Sequence, residues 1–195
     1  MTTVAVVYFS GSGKTAALAS SILAGIRSVS GASALDLRIQ GAQIKDGRFD
    51  DEAFMAKADA ADAIIFGSPT YMGMVAGQFK AFADATGGRW YKQTWKDKIA
   101  GGFTTSGSFS GDKQGTLLYL AILAAQHGMI WAGQTDPNGL YAGVAIDQAT
   151  NRLGSSLGVM SQIVPTPEGA PTPGDVATAE HYGARIAAVA GRIKR

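Results

Sequence analysis

The chain has 195 residues, an ordinary apolar share and a formal net charge of +2, which predicts one α/β domain over residues 1–195 with a sizeable core. It has no cysteine, which excludes disulfides, thiolate metal sites, iron–sulfur clusters and a cysteine nucleophile. No apolar run suits a membrane span, no basic-then-apolar leader opens the sequence, and no basic block precedes Arg192-Ile193-Lys194-Arg195. The expectation is therefore a cytoplasmic protein without nucleic-acid or membrane partners, whose basic tail offsets a helix dipole.

The apolar run Val4-Ala5-Val6-Val7-Tyr8-Phe9 reads as a buried strand, and residues 14–28 read as a helix. Residues 34–39 form a second strand. Residues 40–49 are a loop turning at Lys45-Asp46-Gly47-Arg48, and Asp50-Asp51-Glu52 cap a helix through Ala58. Ala63-Ile64-Ile65-Phe66-Gly67 is a third strand, with a helix over 77–86 that Gly87-Gly88-Arg89-Trp90 breaks. Residues 99–105 are a fourth strand, 113–126 a long apolar helix, and 129–132 a fifth strand. Residues 133–162 are a Gly-rich excursion with little periodicity. A loop from Pro165 to Pro173 precedes a final amphipathic helix opened by Asp175. Strands separated by helices predict a parallel sheet covered on both faces, with ligands beyond the carboxyl ends of the strands.

Three polar loops lie at that edge. The first is Ser10-Gly11-Ser12-Gly13-Lys14-Thr15. A small-residue turn running into a helix N-terminus offers free N–H groups and a favourable dipole to an anion. Gly-Lys-Thr ends a Walker loop, but the glycine that loop needs five positions earlier is Tyr8 here. Gly11-Ser12-Gly13 and Ala16 fit a dinucleotide turn only in part, since the acid, Asp36, falls inside the second strand. The segment therefore suits one phosphate, or is a strand–helix turn with no ligand. The second loop brings Pro69, Thr70, Tyr71, Met72 and Gly73, whose amides and apolar side chains suit the edge and face of a planar ring. The third brings Thr104, Thr105, Ser106, Gly107, Ser108 and Gly111, further small donors. A phosphate at one end and a heterocycle at the other point to flavin mononucleotide, FMN.

The segments Tyr8-Phe9-Ser10, Ile65-Phe66-Gly67-Ser68-Pro69-Thr70-Tyr71-Met72-Gly73, Thr86-Gly87-Gly88-Arg89-Trp90 and Gln126-His127-Gly128-Met129 together resemble the flavodoxin-like WrbA family of NAD(P)H:quinone oxidoreductases. The resemblance spans nearly the whole chain and is most specific over residues 64–107. It implies a flavodoxin-like five-stranded parallel sheet of order 2-1-3-4-5, with helices on both faces and bound FMN. It assigns Ser10 to Thr15 to the phosphate, and Pro69 to Gly73 with Thr104 to Gly111 to the ring and ribityl chain. It implies that His127 reaches the flavin of a neighbouring subunit in a homo-oligomer, tetramer or dimer, and that Trp90 lines the substrate pocket. NAD(P)H would be the electron donor and a quinone-like small molecule the acceptor. Ser12 stands where the family has a tyrosine contacting the nicotinamide nucleotide, and Met74 where it has an asparagine.

Two other readings remain open from the residues. One is an electron-carrier flavodoxin, against which the mildly basic charge counts, because such carriers are typically acidic. The other is a flavin-binding module without turnover. With two histidines in the chain, no metal site is expected. His127, before Gly128, also suits a helix C-terminus, and Trp90 an oligomer contact.

Overall fold

The computed structural model describes residues 1–164 and 166–193; Pro165, Lys194 and Arg195, part of the loop and tail noted above, lie outside the described residues. Strand β1 (Thr2–Phe9) leads to helix α1 (Lys14–Arg27), β2 (Ala32–Ile39) and a small hairpin of β3 (Ile44–Lys45) and β4 (Arg48–Phe49). Helix α2 (Glu52–Ala60) is capped by Asp51, whose carboxylate accepts the Phe54 N–H. Then come β5 (Ala63–Tyr71), β6 (Met74–Val75), α3 (Gly77–Ala85), α4 (Gly87–Tyr91) and β7 (Ile99–Ser106). Helix α5 (Lys113–Gln126), β8 (Ile130–Trp131), β9 (Val159–Gln162) and α6 (Pro173–Ile193) complete the chain.

The sheet runs β2-β1-β5-β7-β8 with parallel neighbours throughout, the expected flavodoxin-like order. Side chains alternate across it. Val4, Val6 and Tyr8 pack with α1 and α6, whereas Ala5, Val7 and Phe9 join Phe66, Phe79, Phe82 and Trp95 on the other face. The helices thus cover both faces and leave the carboxyl edge open, where β1, β5 and β7 release their loops.

Three expectations need correction. The 40–49 segment contains the β3–β4 hairpin. Gly87–Tyr91 is helical, because Thr86 ends α3 and its carbonyl accepts the Arg89 and Trp90 N–H groups that start α4. The 133–162 excursion is not formless at its end. β8 flanks only the start of β7, at Ile99 and Ala100; the chain leaves the sheet and returns as β9, beside Phe103 to Ser106. The Trp131 indole N–H donates to the Leu157 carbonyl at 2.8 Å and stitches the two pieces of the fifth position together. A four-residue strand with a buried serine, Ser161, carries no apolar alternation to announce it.

Candidate functional site

The first loop has the geometry of an anion cradle. Gly13, the residue before α1, lies at φ 86° and has no side chain with which to cap the helix. Ser10, nearly buried, accepts the Ala16 N–H at 3.1 Å. Ala17 N–H donates to the Gly13 carbonyl. Among the described residues, the N–H groups of Gly11 through Thr15 have no acceptor. Five donors at a helix start suit one phosphate. The Thr15 hydroxyl pairs with Thr105 at 2.9 Å, which ties the first loop to β7 and leaves one hydroxyl proton of the pair to donate elsewhere. Lys14 turns away: its ammonium donates to the carbonyls of Pro167 and Gly169. Only its N–H belongs to the cradle. Arg38, at the end of β2, donates to the Ser10 carbonyl at 2.9 Å and braces the loop from beneath.

The second loop is a tight hairpin. Thr70 pairs with Val75 and Tyr71 with Met74. Met72 and Gly73 between them have φ of 49° and 82°, the two positive values that a two-residue primed turn requires. Glycine accepts that backbone freely; methionine does so at a cost. The Met72 side chain is fully exposed at the tip. The Ser68 hydroxyl accepts the Ala76 N–H at 2.9 Å and closes the base of the hairpin. Tyr71 leans across to the first loop, where a methyl group on Gly11 would come within 2.7 Å of its hydroxyl. Thr70, Thr104 and Thr116 share hydroxyl contacts of 2.9 and 2.8 Å that lock the hairpin to β7 and α5.

The third loop, between β7 and α5, wraps a buried cation. Lys113 is 1% exposed. Its ammonium donates to the Ser106 hydroxyl (2.7 Å) and to the carbonyls of Ser108 (2.7 Å) and Phe109 (2.8 Å). Burial pushes its pKa down to about 8; Arg152 nearby adds to the effect and Asp175 opposes it. The Gln162 amide donates to the Gly107 carbonyl at 2.9 Å. Behind the loop, Arg152 and Asp175 form a buried bidentate pair at 2.8 and 3.0 Å, and the Ser161 hydroxyl donates to the same carboxylate at 2.6 Å. A groove of about 740 Å³ lined by Gly73, Phe109, Asp112, Gln114, Arg152 and Met160 adjoins the second and third loops.

The structure thus gathers the predicted residues of all three loops at one edge. Within one subunit His127 and Trp90 lie elsewhere; the contact expected of His127 is with the flavin of a neighbouring subunit. His127 follows α5, at the opposite end of the sheet, and is buried against Trp95 with ring centroids 4.5 Å apart. The Thr86 hydroxyl donates its proton to the Ala83 carbonyl, so it accepts from His127 Nε2–H at 2.8 Å. Burial lowers the histidine pKa and keeps the ring neutral. Trp90 is 53% exposed and borders, with Tyr91, Lys96 and His127, a separate hollow of about 300 Å³. Arg89 of the same motif is structural: it pairs with Asp59 and Glu52. Sequence reasoning missed Lys113, Gln162 and the Arg152–Asp175 pair. One signal was available, because a lysine in the first turn of a helix opposes the dipole and needs a reason to be there. Among the described residues no cluster of acids and histidines is placed to hold a metal ion.

A parallel sheet of this order, with three polar loops gathered beyond the carboxyl ends of its strands, defines the flavodoxin-like class. The chain belongs to the family described as NADPH-dependent FMN reductase, which it matches over residues 5–135, and within it to the WrbA-like group of FMN-binding oxidoreductases. It is 38% identical to the flavodoxin FldP of Pseudomonas aeruginosa, over 99% of both chains. It is 31% identical to an NAD(P)H dehydrogenase (quinone) of Geobacter sulfurreducens, over 97% of this chain and 98% of that one. A crystal structure of a flavodoxin, WrbA-like protein from Agrobacterium tumefaciens superposes with a TM-score of 0.73 at 38% identity, over 98% and 99% of the two chains.

Proposed function

We propose that this flavin-dependent oxidoreductase works as one cytoplasmic domain that uses NAD(P)H to reduce quinones or similar flat acceptors by two electrons. The carrying observation is the pair of uncommitted donor rows, at residues 11–15 and along the third loop, on one edge of the sheet. They suit FMN at its two polar ends. The cradle would hold the phosphate through the N–H groups of Gly11 to Thr15. Tyr71 and Met72 would wall the ring on one side. The third loop would face the carbonyl edge of the ring. FMN when bound supplies the two-electron chemistry. The chain's own residues bind it, fix its orientation and hold its surroundings, and no side chain is needed as a nucleophile. Ser12, small and exposed, leaves the mouth of the cradle open where the family tyrosine would stand.

We further infer a homo-oligomer. Leu118 and Ile122 are half-exposed on α5, whose only charged residue, Lys113, is buried. A helix apolar on its outer side calls for cover. A neighbouring copy could then lend the exposed Trp90 as a wall of the acceptor pocket. Within one subunit the His127 ring is buried and pairs with Thr86; its proposed contact remains the flavin of a neighbouring subunit, reached across the oligomer interface from the hollow it borders with Trp90.

The test is an absorption spectrum of the purified protein, then anaerobic addition of NADH or NADPH, then turnover with benzoquinone. Bleaching of the flavin bands by the nicotinamide and turnover with the quinone support the enzyme. A protein that binds no FMN on titration sinks the reading. A second reading, an electron carrier, draws support from the relative named flavodoxin FldP. Full FMN occupancy without nicotinamide oxidation would favour it.

A further inference from the structure

The third loop has an arrangement that its residue types alone do not explain. Five consecutive carbonyls are turned inward and engaged. Ser106 accepts from the Ile163 N–H, Gly107 from Gln162, Ser108 and Phe109 from the Lys113 ammonium, and Ser110 from the Lys113 N–H. In a planar trans peptide the N–H points opposite to the C=O. The N–H groups that share those peptide units, from Gly107 to Gly111, therefore face outward. Among the described residues none of them has an acceptor. The Lys113 ammonium is fully used, with three protons on three loop oxygens. Its charge lies behind the peptide units whose outward N–H groups are those of Phe109 and Ser110.

We propose that Lys113, assisted by Gln162, is a positioning residue that turns the loop into a surface for electron-rich carbonyl groups. It would thereby bind the carbonyl edge of the flavin ring and favour the ring when it gains negative charge. This inference rests on the FMN reading above. Burying a lysine is costly unless every proton is satisfied and the charge is useful. The loop supplies the first condition. A group that becomes more negative on reduction would supply the second, because a fixed positive charge in a low-dielectric setting acts strongly on it.

The experiment compares wild type, Lys113→Met, Lys113→Arg and Gln162→Leu in three measurements. These are FMN titration of the apo-protein, the two-electron midpoint potential of bound FMN, and ¹⁵N relaxation of residues 107–112 without FMN. Lys113→Met should weaken oxidised FMN binding about tenfold, as expected for the loss of one strong oriented contact. It should weaken reduced FMN binding about tenfold more, which lowers the potential by roughly 30 mV. Lys113→Arg, which keeps the charge, should restore most of the potential. The loop of the apo-protein should become mobile in Lys113→Met alone. A purely structural lysine would lower the melting temperature without moving the potential. Folded Lys113→Met with wild-type affinity, potential and loop order overturns the proposal. If that variant does not fold, Gln162→Leu decides: a severalfold loss of FMN affinity supports it, and unchanged affinity overturns it. If wild-type protein binds no FMN, the functional reading fails, and the relaxation comparison still decides the role of Lys113.

Discussion

Removing the phosphate from the ligand is the cleanest test of the first loop. The N–H groups of Gly11 to Thr15 lack acceptors among the described residues, and the residue before α1, Gly13, offers no side chain to them. A hydrogen bond to a charged partner contributes about 1.5–3 kcal/mol net. Geometry will not let one phosphate take all five donors equally. Two at the low end give about 3 kcal/mol, more than a hundredfold in affinity. The helix dipole adds in the same direction. FMN should therefore bind the apo-protein at least about a hundredfold more tightly than riboflavin, as read by quenching of flavin fluorescence on titration. Part of that gap is Coulombic and should narrow with salt. The part carried by oriented N–H groups should persist at high ionic strength. Riboflavin within tenfold of FMN at low salt would refute the cradle, whatever the ring loops do.

Other changes follow from the same contacts. Gly11→Ala places a methyl group 2.7 Å from the Tyr71 hydroxyl but an ordinary 3.7 Å from the ring carbon bearing it. It should weaken FMN binding about tenfold in wild type and much less in Tyr71→Phe, a coupling that a double-mutant cycle measures. Asp175→Asn leaves the Arg152 guanidinium buried without its carboxylate. It should cost about 3–5 kcal/mol, read as a fall in the urea midpoint; a loss under 1 kcal/mol would mean that the pair is solvated. With the Lys113 pKa held near 8, FMN affinity should fall as pH rises through that value in wild type but not in Lys113→Arg. The sign for folding is opposite. The unfolded chain keeps this proton to its ordinary value near 10.5, so between the two values the unfolded state binds more protons and this lysine favours folding as pH rises. A fall in melting temperature that tracks the affinity would show that some other group is responsible.

The fold was legible wherever apolar runs were long. Val4 to Phe9 and Ile64 to Phe66 are buried on both faces and read as central strands without ambiguity. The fifth position was legible only in its first half. Ile130-Trp131 carries a strand signal, but β9 carries Ser161, buried because its hydroxyl serves Asp175. A polar residue held by a partner far away in sequence defeats any reading by hydrophobic period. The helix at Gly87–Tyr91 failed for a related reason. Two glycines signal a break, yet tertiary contacts of Arg89 with Asp59 and Glu52 hold the turn.

The candidate site divides along the same line. Its loops were found from small residues next to strand ends, because backbone N–H groups need room more than they need particular side chains. What holds the third loop was invisible, since Lys113 and Gln162 lie on separate elements and meet the loop only in the folded chain. His127 stands apart: Thr86 and Trp95 hold it at the far end of the sheet within the subunit, a place from which it would reach only a neighbouring subunit's flavin. On the function proposed above, a site made of backbone donors would tolerate Ser12 and Met72 without losing its cofactor. Both residues are exposed and would rim the mouth of that site, where an enzyme must admit nicotinamide and acceptor in turn and a carrier admits only a protein edge. The chain's relatives carry both kinds of name, which fits a shared cofactor cradle whose rim decides the use.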